Sequence, residues 1–149
     1  MKLLFLPKRF IPMGTNRMFH FSQRIQSKVL YDGDCPICMV EINLLKRYLN
    51  KQGKVEFVDI TKDSFKPEDH LGITYKEAMG NMHVIGDDNK VYKKMDAIRE
   101  MYRGVGFGAF ATFTELPVIR PITDKMYEIF AANRFRLTGR KDDCNCQKR

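Results

Sequence analysis

Cys35 and Cys38 stand where a strand-like run meets a helix-like one, and this junction constrains the chain more than any other feature. Val29-Leu30-Tyr31 reads as a short buried strand ending at Asp32-Gly33. From Cys35 to about Asn50 the apolar residues Ile37, Val40, Leu44, Leu45, Tyr48 and Leu49 recur at spacings of three and four, and Gly53 supplies a stop signal. Asp34 is placed to cap that helix, and Pro36 falls in its first turn, where a missing N–H does little harm. Val55–Ile60 is the second strand. A β-α-β unit of this size implies a parallel pair with a right-handed crossover.

Beyond it, residues 61–80 are polar, with a short helix around Tyr75–Met79. Met82–Ile85 and Val91–Lys94 flank the turn signal Gly86-Asp87-Asp88-Asn89-Lys90 and read as a β-hairpin. The remainder is helical: Asp96 to Tyr102, a break at Gly104, Gly106 and Gly108, an apolar stretch to Leu116, and a last stripe of Ile122, Met126, Ile129, Phe130, Asn133 and Leu137 closed by Gly139. A parallel pair joined to an antiparallel hairpin with helices packed on the sheet is the α/β, thioredoxin-like arrangement, here with additional C-terminal helices. In that arrangement a C-x-x-C at the start of the first helix is a redox site.

Composition narrows the possibilities. The chain has 149 residues, long enough to bury a core without disulfide staples. No apolar run approaches the roughly 20 residues of a membrane span. Four cysteines are too few for a secreted disulfide scaffold, and a C-x-x-C beside a β-α-β pattern suits a redox motif. Of the net charge of +8, residues 1–30 carry +6, through Lys2, Lys8, Arg9, Arg17, Arg24 and Lys28 with no acid. The basicity therefore belongs to a leader, and nucleic-acid binding does not follow from it. We expect three segments: a basic leader over 1–27, a folded domain over 28–140, and a flexible tail over 141–149 that carries Cys144 and Cys146. The acid-free, Arg-containing leader fits an organelle transit peptide, with the mitochondrion as the expected compartment and the cytoplasm otherwise. A bare N-terminal arm is the plain alternative.

The segment Asp32-x-x-Cys35-x-x-Cys38 resembles the signature of the DCC family of predicted thiol-disulfide oxidoreductases. Met82-His83-Val84-Ile85 with Asp96-Ala97 is similar to that family's central hairpin and following helix. Tyr127 to Arg136 is similar to its C-terminal Tyr-x-x-x-Ala-x-Asn-Arg helix. The resemblance covers residues 28–140. It implies a thioredoxin-like fold and disulfide oxidoreductase activity. We expect a disulfide-containing protein or small thiol as partner, and no cofactor.

Cys35, at the helix start, is the expected nucleophile, because free amides and the helix dipole favour thiolate. Cys38, one turn later, is the expected resolving thiol. Asp32 is the expected buried proton acceptor for Cys38, in a general acid/base role. Carboxylates so close to Cys35 also oppose its ionisation, and turn chemistry alone accounts for an Asp-Gly step. Gly33 permits a tight backbone path beside the thiols. Thioredoxins usually place a cis-proline before the third strand, facing the thiols. Here no proline lies between Pro67 and Pro117, and Asn81 or Met82 takes that place. A metal or iron–sulfur site using Cys35, Cys38 and His83 is the alternative, and a non-catalytic thioredoxin-like binding module is another. His20, His70 and His83 form no ligand spacing among themselves. Asn133 and Arg134 are expected to be structural, through capping or pairing with Asp32.

Overall fold

A computed structural model describes residues 26–139. Almost all of the expected leader, His20, and the tail with Cys144 and Cys146 lie outside the described residues. Strands β1 (Ser27–Tyr31), β2 (Val55–Asp59), β3 (His83–Gly86) and β4 (Val91–Lys93) form one sheet in the order β2-β1-β3-β4. β1 runs parallel to β2 and antiparallel to β3, and β3 and β4 form the expected hairpin. Asn89 takes a left-handed conformation in its turn (φ 58°). This is the thioredoxin-like arrangement, with β1 already under way at Ser27.

Among the described residues the α-helices are α1 (Pro36–Leu44), α2 (Tyr75–Gly80), α3 (Lys94–Gly104), α4 (Gly108–Thr114) and α5 (Ile119–Leu137). No helix of the described residues is long and apolar enough to cross a membrane. Alternation along the strands divides the core. Val29, Tyr31 and Val84 face Ile42 and Leu45 below α1, with Ala97 and Met101 of α3. Leu30 and Ile85 face Ile60, Ile73 and Ala78 on the other side. Gly104 lets α3 meet the sheet end, since a Cβ there would strike the Ser27 and Val55 side chains.

Two expected helix faces differ from those observed. α1 buries Ile42 and Leu45, with Met39 and Leu49 packed beside them, while Ile37, Val40, Leu44 and Tyr48 of the expected stripe are exposed. The helix is apolar on both faces, so spacing alone does not choose between them. Its last turn also widens to a π-helix over Leu45–Leu49, closed by the Asn50 N–H donating to the Leu45 carbonyl. Asn50 then pairs through its amide with both backbone groups of Val55, tying the helix end to β2. α5 starts at Ile119, earlier than its stripe indicated, because Pro121 is tolerated in a first turn. Its buried residues are Tyr127 and Arg134, whereas Ile122, Met126, Ile129 and Leu137 are exposed.

Candidate functional site

The site begins where β1 ends. Asp32 is buried, and its Oδ1 accepts the Asp34 N–H (3.0 Å), folding the chain into a tight turn. The turn is pinned to the end of β2 by Asp59, whose Oδ1 accepts the Gly33 N–H (3.2 Å), the Thr61 N–H (3.0 Å) and the Thr61 hydroxyl (2.7 Å). A Cβ on Gly33 would collide with the Asp59 carboxylate, so a larger residue there displaces the group that pins the turn. Asp59, which ends β2 in the structure, carried no sequence signal of this role.

Asp34 is not the helix cap. Cys35 is, with an extended backbone (φ −90°, ψ 107°) and its Sγ accepting the Cys38 N–H at 3.3 Å. Asp34 is displaced from the role because α1 begins at Pro36, which leaves Asp34 one residue before the cap position. A sulfur that receives a helix-start N–H is a sulfur whose anion is stabilised. Cys35 and Cys38 are joined in a disulfide with their Cα atoms 5.2 Å apart, inside the range that a disulfide spans. In this form Cys35 is 1% exposed and Cys38 is half-buried.

Beside Cys38 lies a cavity of about 60 Å³. Asp32, Cys38, Glu41, Met82, Tyr127 and Arg134 line it, so it gathers residues from β1, α1, the start of β3 and α5. Glu41 was missed from the sequence, although its position three residues after Cys38 on one helix was a usable signal. Burial pushes the Glu41 carboxyl above the usual carboxylate range, partly offset by the Tyr102 hydroxyl, which donates to its Oε1 at 3.1 Å. Tyr102 is pushed up to about 12 by its own burial and by the Glu41 carboxylate. Tyr127 is also raised, chiefly by burial.

Met82 lines the cavity with Cys38. Its N–H donates to the Tyr127 hydroxyl (2.9 Å), and its carbonyl accepts the Lys94 N–H (3.1 Å). No described peptide bond is cis. Arg134 donates to the Met79 carbonyl, and Asn133 bonds within its own helix to the Ile129 carbonyl (2.8 Å). Tyr127 and Arg134 thus clamp α5 onto the segment that enters β3.

The metal alternative finds no assembled ligand set. Among the described residues no three of His, Cys, Asp and Glu gather where they could hold a metal ion. His83 alternates with Val84 and so shares the sheet face of Ile85, away from α1. Its Nδ1 bonds to the Asn81 carbonyl (2.8 Å), and burial lowers its pKa. His70 stacks on Phe65 (centroids 5.1 Å apart), and burial lowers its pKa too.

Comparison with known proteins agrees with this geometry. The family model for DCC1-like thiol-disulfide oxidoreductases matches residues 29–140. An uncharacterised chloroplastic protein of Arabidopsis thaliana, At5g50100, is 42% identical over 118 residues, covering 79% of this chain and 55% of its own length. The chain therefore spans about half of that relative. The uncharacterised protein YuxK of Bacillus subtilis is 26% identical over 135 residues, covering 83% of this chain and 89% of its own. No solved structure matches the chain. The chain belongs to the DCC1-like thiol-disulfide oxidoreductase family.

Proposed function

We propose that the protein exchanges disulfides with a protein or small-thiol partner through Cys35 and Cys38. The observation that carries this reading is the disulfide across the first turn of a helix that follows β1, with the Cys35 sulfur accepting a helix-start N–H. In the reduced protein the Cys35 thiolate attacks the partner disulfide. One partner sulfur leaves as thiolate, and the other is held in a mixed disulfide on Cys35. Cys38 then attacks the Cys35 sulfur, closes the intramolecular disulfide and releases the second partner thiol. The dithiol is oxidised by two electrons, and the partner disulfide is reduced by two. Asp32 shapes the turn that presents Cys35 to this chemistry.

The partner is not gripped through the main chain of Met82, because both its backbone groups are engaged inside the protein. The test is reduction of a model disulfide by the reduced full chain. Cys35→Ser abolishes it, and Cys38→Ser accumulates a mixed disulfide. An unchanged rate in the double variant refutes the reading and leaves the non-catalytic binding module.

A second reading reverses the two thiols. It is favoured by access, since Cys38 lines the cavity while Cys35 is 1% exposed in the disulfide form. Under it, Cys35→Ser is the variant that accumulates the mixed disulfide, so the same pair of variants decides. An organellar address belongs to the proposal as well. The chloroplastic designation of the Arabidopsis relative supports it, and the acid-free, basic residues 1–27 support the mitochondrion. Import into isolated organelles with shortening of the chain tests that address: import into chloroplasts alone refutes the mitochondrion, and import into neither organelle refutes the organellar address.

A further inference from the structure

Closing the disulfide requires Cys38 to lose a proton, because thiolate rather than thiol is the nucleophile. Two carboxyl groups line the cavity with Cys38, those of Asp32 and Glu41. Asp32 already accepts the Asp34 N–H and holds the turn. Glu41 lies three residues after Cys38 on α1, and side chains at that spacing are neighbours on one helix face. Among the described residues its one hydrogen-bond donor is the Tyr102 hydroxyl, on Oε1, which leaves Oε2 for a proton. The other polar groups on the cavity are engaged elsewhere: Tyr127 accepts the Met82 N–H, and Arg134 donates to the Met79 carbonyl.

We propose that Glu41, rather than Asp32, is the general base that takes the Cys38 proton as Cys38 attacks the mixed disulfide on Cys35. This rests on the exchange reading above. The Cys38 S–H bond breaks and its proton passes to the Glu41 carboxylate. The new S–S bond joins Cys38 to Cys35, and the partner sulfur departs with the electron pair of the broken disulfide. In the reverse direction the Glu41 carboxylic acid returns the proton to Cys38. A water needs about 10–15 Å³ of such space, so the cavity also admits a relaying water between thiol and carboxylate. Burial suits the task by bringing the carboxyl toward the working pH, where a base exchanges protons most efficiently. Among the described residues, the titratable and charged groups that share the cavity with Glu41 or bond to it are Asp32 from the β1 turn, Cys38 on its own helix, Tyr102 from α3, and Tyr127 and Arg134 from α5.

The experiment mixes the reduced full chain with a substoichiometric aromatic disulfide, dithiobis(nitrobenzoate), in a stopped-flow instrument over a range of pH. The first coloured thiolate reports attack and the second reports resolution by Cys38. In the wild type the second phase slows as pH falls through the Glu41 titration. Glu41→Gln keeps the side-chain shape and the Tyr102 donor. It slows the second phase about a hundredfold, the lower end of what a positioned base contributes. Its remaining pH dependence follows Cys38 ionisation alone. Tyr102→Phe removes the donor that stabilises the carboxylate and moves the acid limb to higher pH. The proposal is overturned if Glu41→Gln retains the wild-type profile, if Asp32→Asn removes the limb instead, or if Glu41→Gln alters the pH dependence of the first phase rather than the second. A wild type with no first phase overturns the exchange reading itself, and this proposal with it.

Discussion

Arg99 offers the sharpest test of how the helices are held over the site. It is 1% exposed, and its guanidinium joins three helices. Nη1 donates to Asp96 Oδ1 (2.8 Å), Nε to the Thr114 hydroxyl (3.3 Å), and Nη2 to the Thr114 carbonyl (3.0 Å), the Thr123 hydroxyl (2.9 Å) and Asp124 Oδ1 (2.8 Å). Arg99→Met keeps a stem of similar length and removes all of these donors. The consequences differ by partner. Asp96 and Asp124 are 51% and 42% exposed and still face Arg120, so they return to water at small cost. The Thr114 and Thr123 hydroxyls still donate to carbonyls of their own helices. The Thr114 carbonyl belongs to a buried residue and loses its side-chain donor, worth about 1–3 kcal/mol. Adding the lost charge-assisted bonds brings the expected destabilisation to about 3 kcal/mol, at the lower edge of the range for breaking a buried ion pair by removing one partner. At roughly 4 °C per kcal/mol for a domain of this size, the melting temperature falls by about 12 °C. Urea unfolding followed by far-UV circular dichroism measures the change, with an unaltered denaturant slope as the control for two-state behaviour. A variant within about 1 kcal/mol of wild type refutes the reasoning, because it shows that desolvating the guanidinium cancels its bonds.

Two further outcomes follow from buried polar groups. Tyr127→Phe removes the acceptor of the Met82 N–H and costs about 1 kcal/mol, with amide exchange at Met82 accelerated; unchanged protection there contradicts the clamp. His83 and His70 are both buried with folded pKa values below the usual 6.5, so the fold favours their neutral forms. Their stabilisation is therefore complete above the unfolded pKa of about 6.5 and is lost as pH falls below it through the folded values. Urea midpoints measured across that window decline with acidification, and His83→Gln reduces the slope while His70 retains its share. An identical slope in the variant assigns the effect elsewhere.

The succession of strands along the chain was legible because its signals are local. Val29–Tyr31, Val55–Ile60 and Met82–Ile85 are short apolar runs, and the Gly86–Lys90 segment carries its turn chemistry in its own residues. The helix faces were not legible, for a reason visible in α1. Met39, Ile42, Leu45 and Leu49 and the exposed Ile37, Val40, Leu44 and Tyr48 are both apolar sets at helical spacing, so periodicity cannot say which meets the sheet. α5 adds a second failure. Its buried side chains are a tyrosine and an arginine, residues that hydropathy patterns assign to the surface, and the same applies to Arg99 in α3.

The site divides along the same line. The thiol half spans Asp32 to Cys38 and is specified by neighbours in sequence, which is why a motif reveals it. The half that surrounds the cavity beside Cys38 is non-local. Tyr102 meets Glu41 across 61 residues, Tyr127 meets Met82 across 45, and Arg134 meets Met79 across 55. Each bond links a helix that follows the last strand to a residue that comes before β3 in the chain, so the cavity beside Cys38 forms only when α3 and α5 have docked. The same docking consumes the main chain of Met82. Both backbone groups of the residue before β3 are thereby bonded within the protein, which leaves the side chains around the cavity as the surface beside Cys38. The C-terminal helices therefore set the chemical surroundings of a dithiol whose local geometry β1 and α1 already determine.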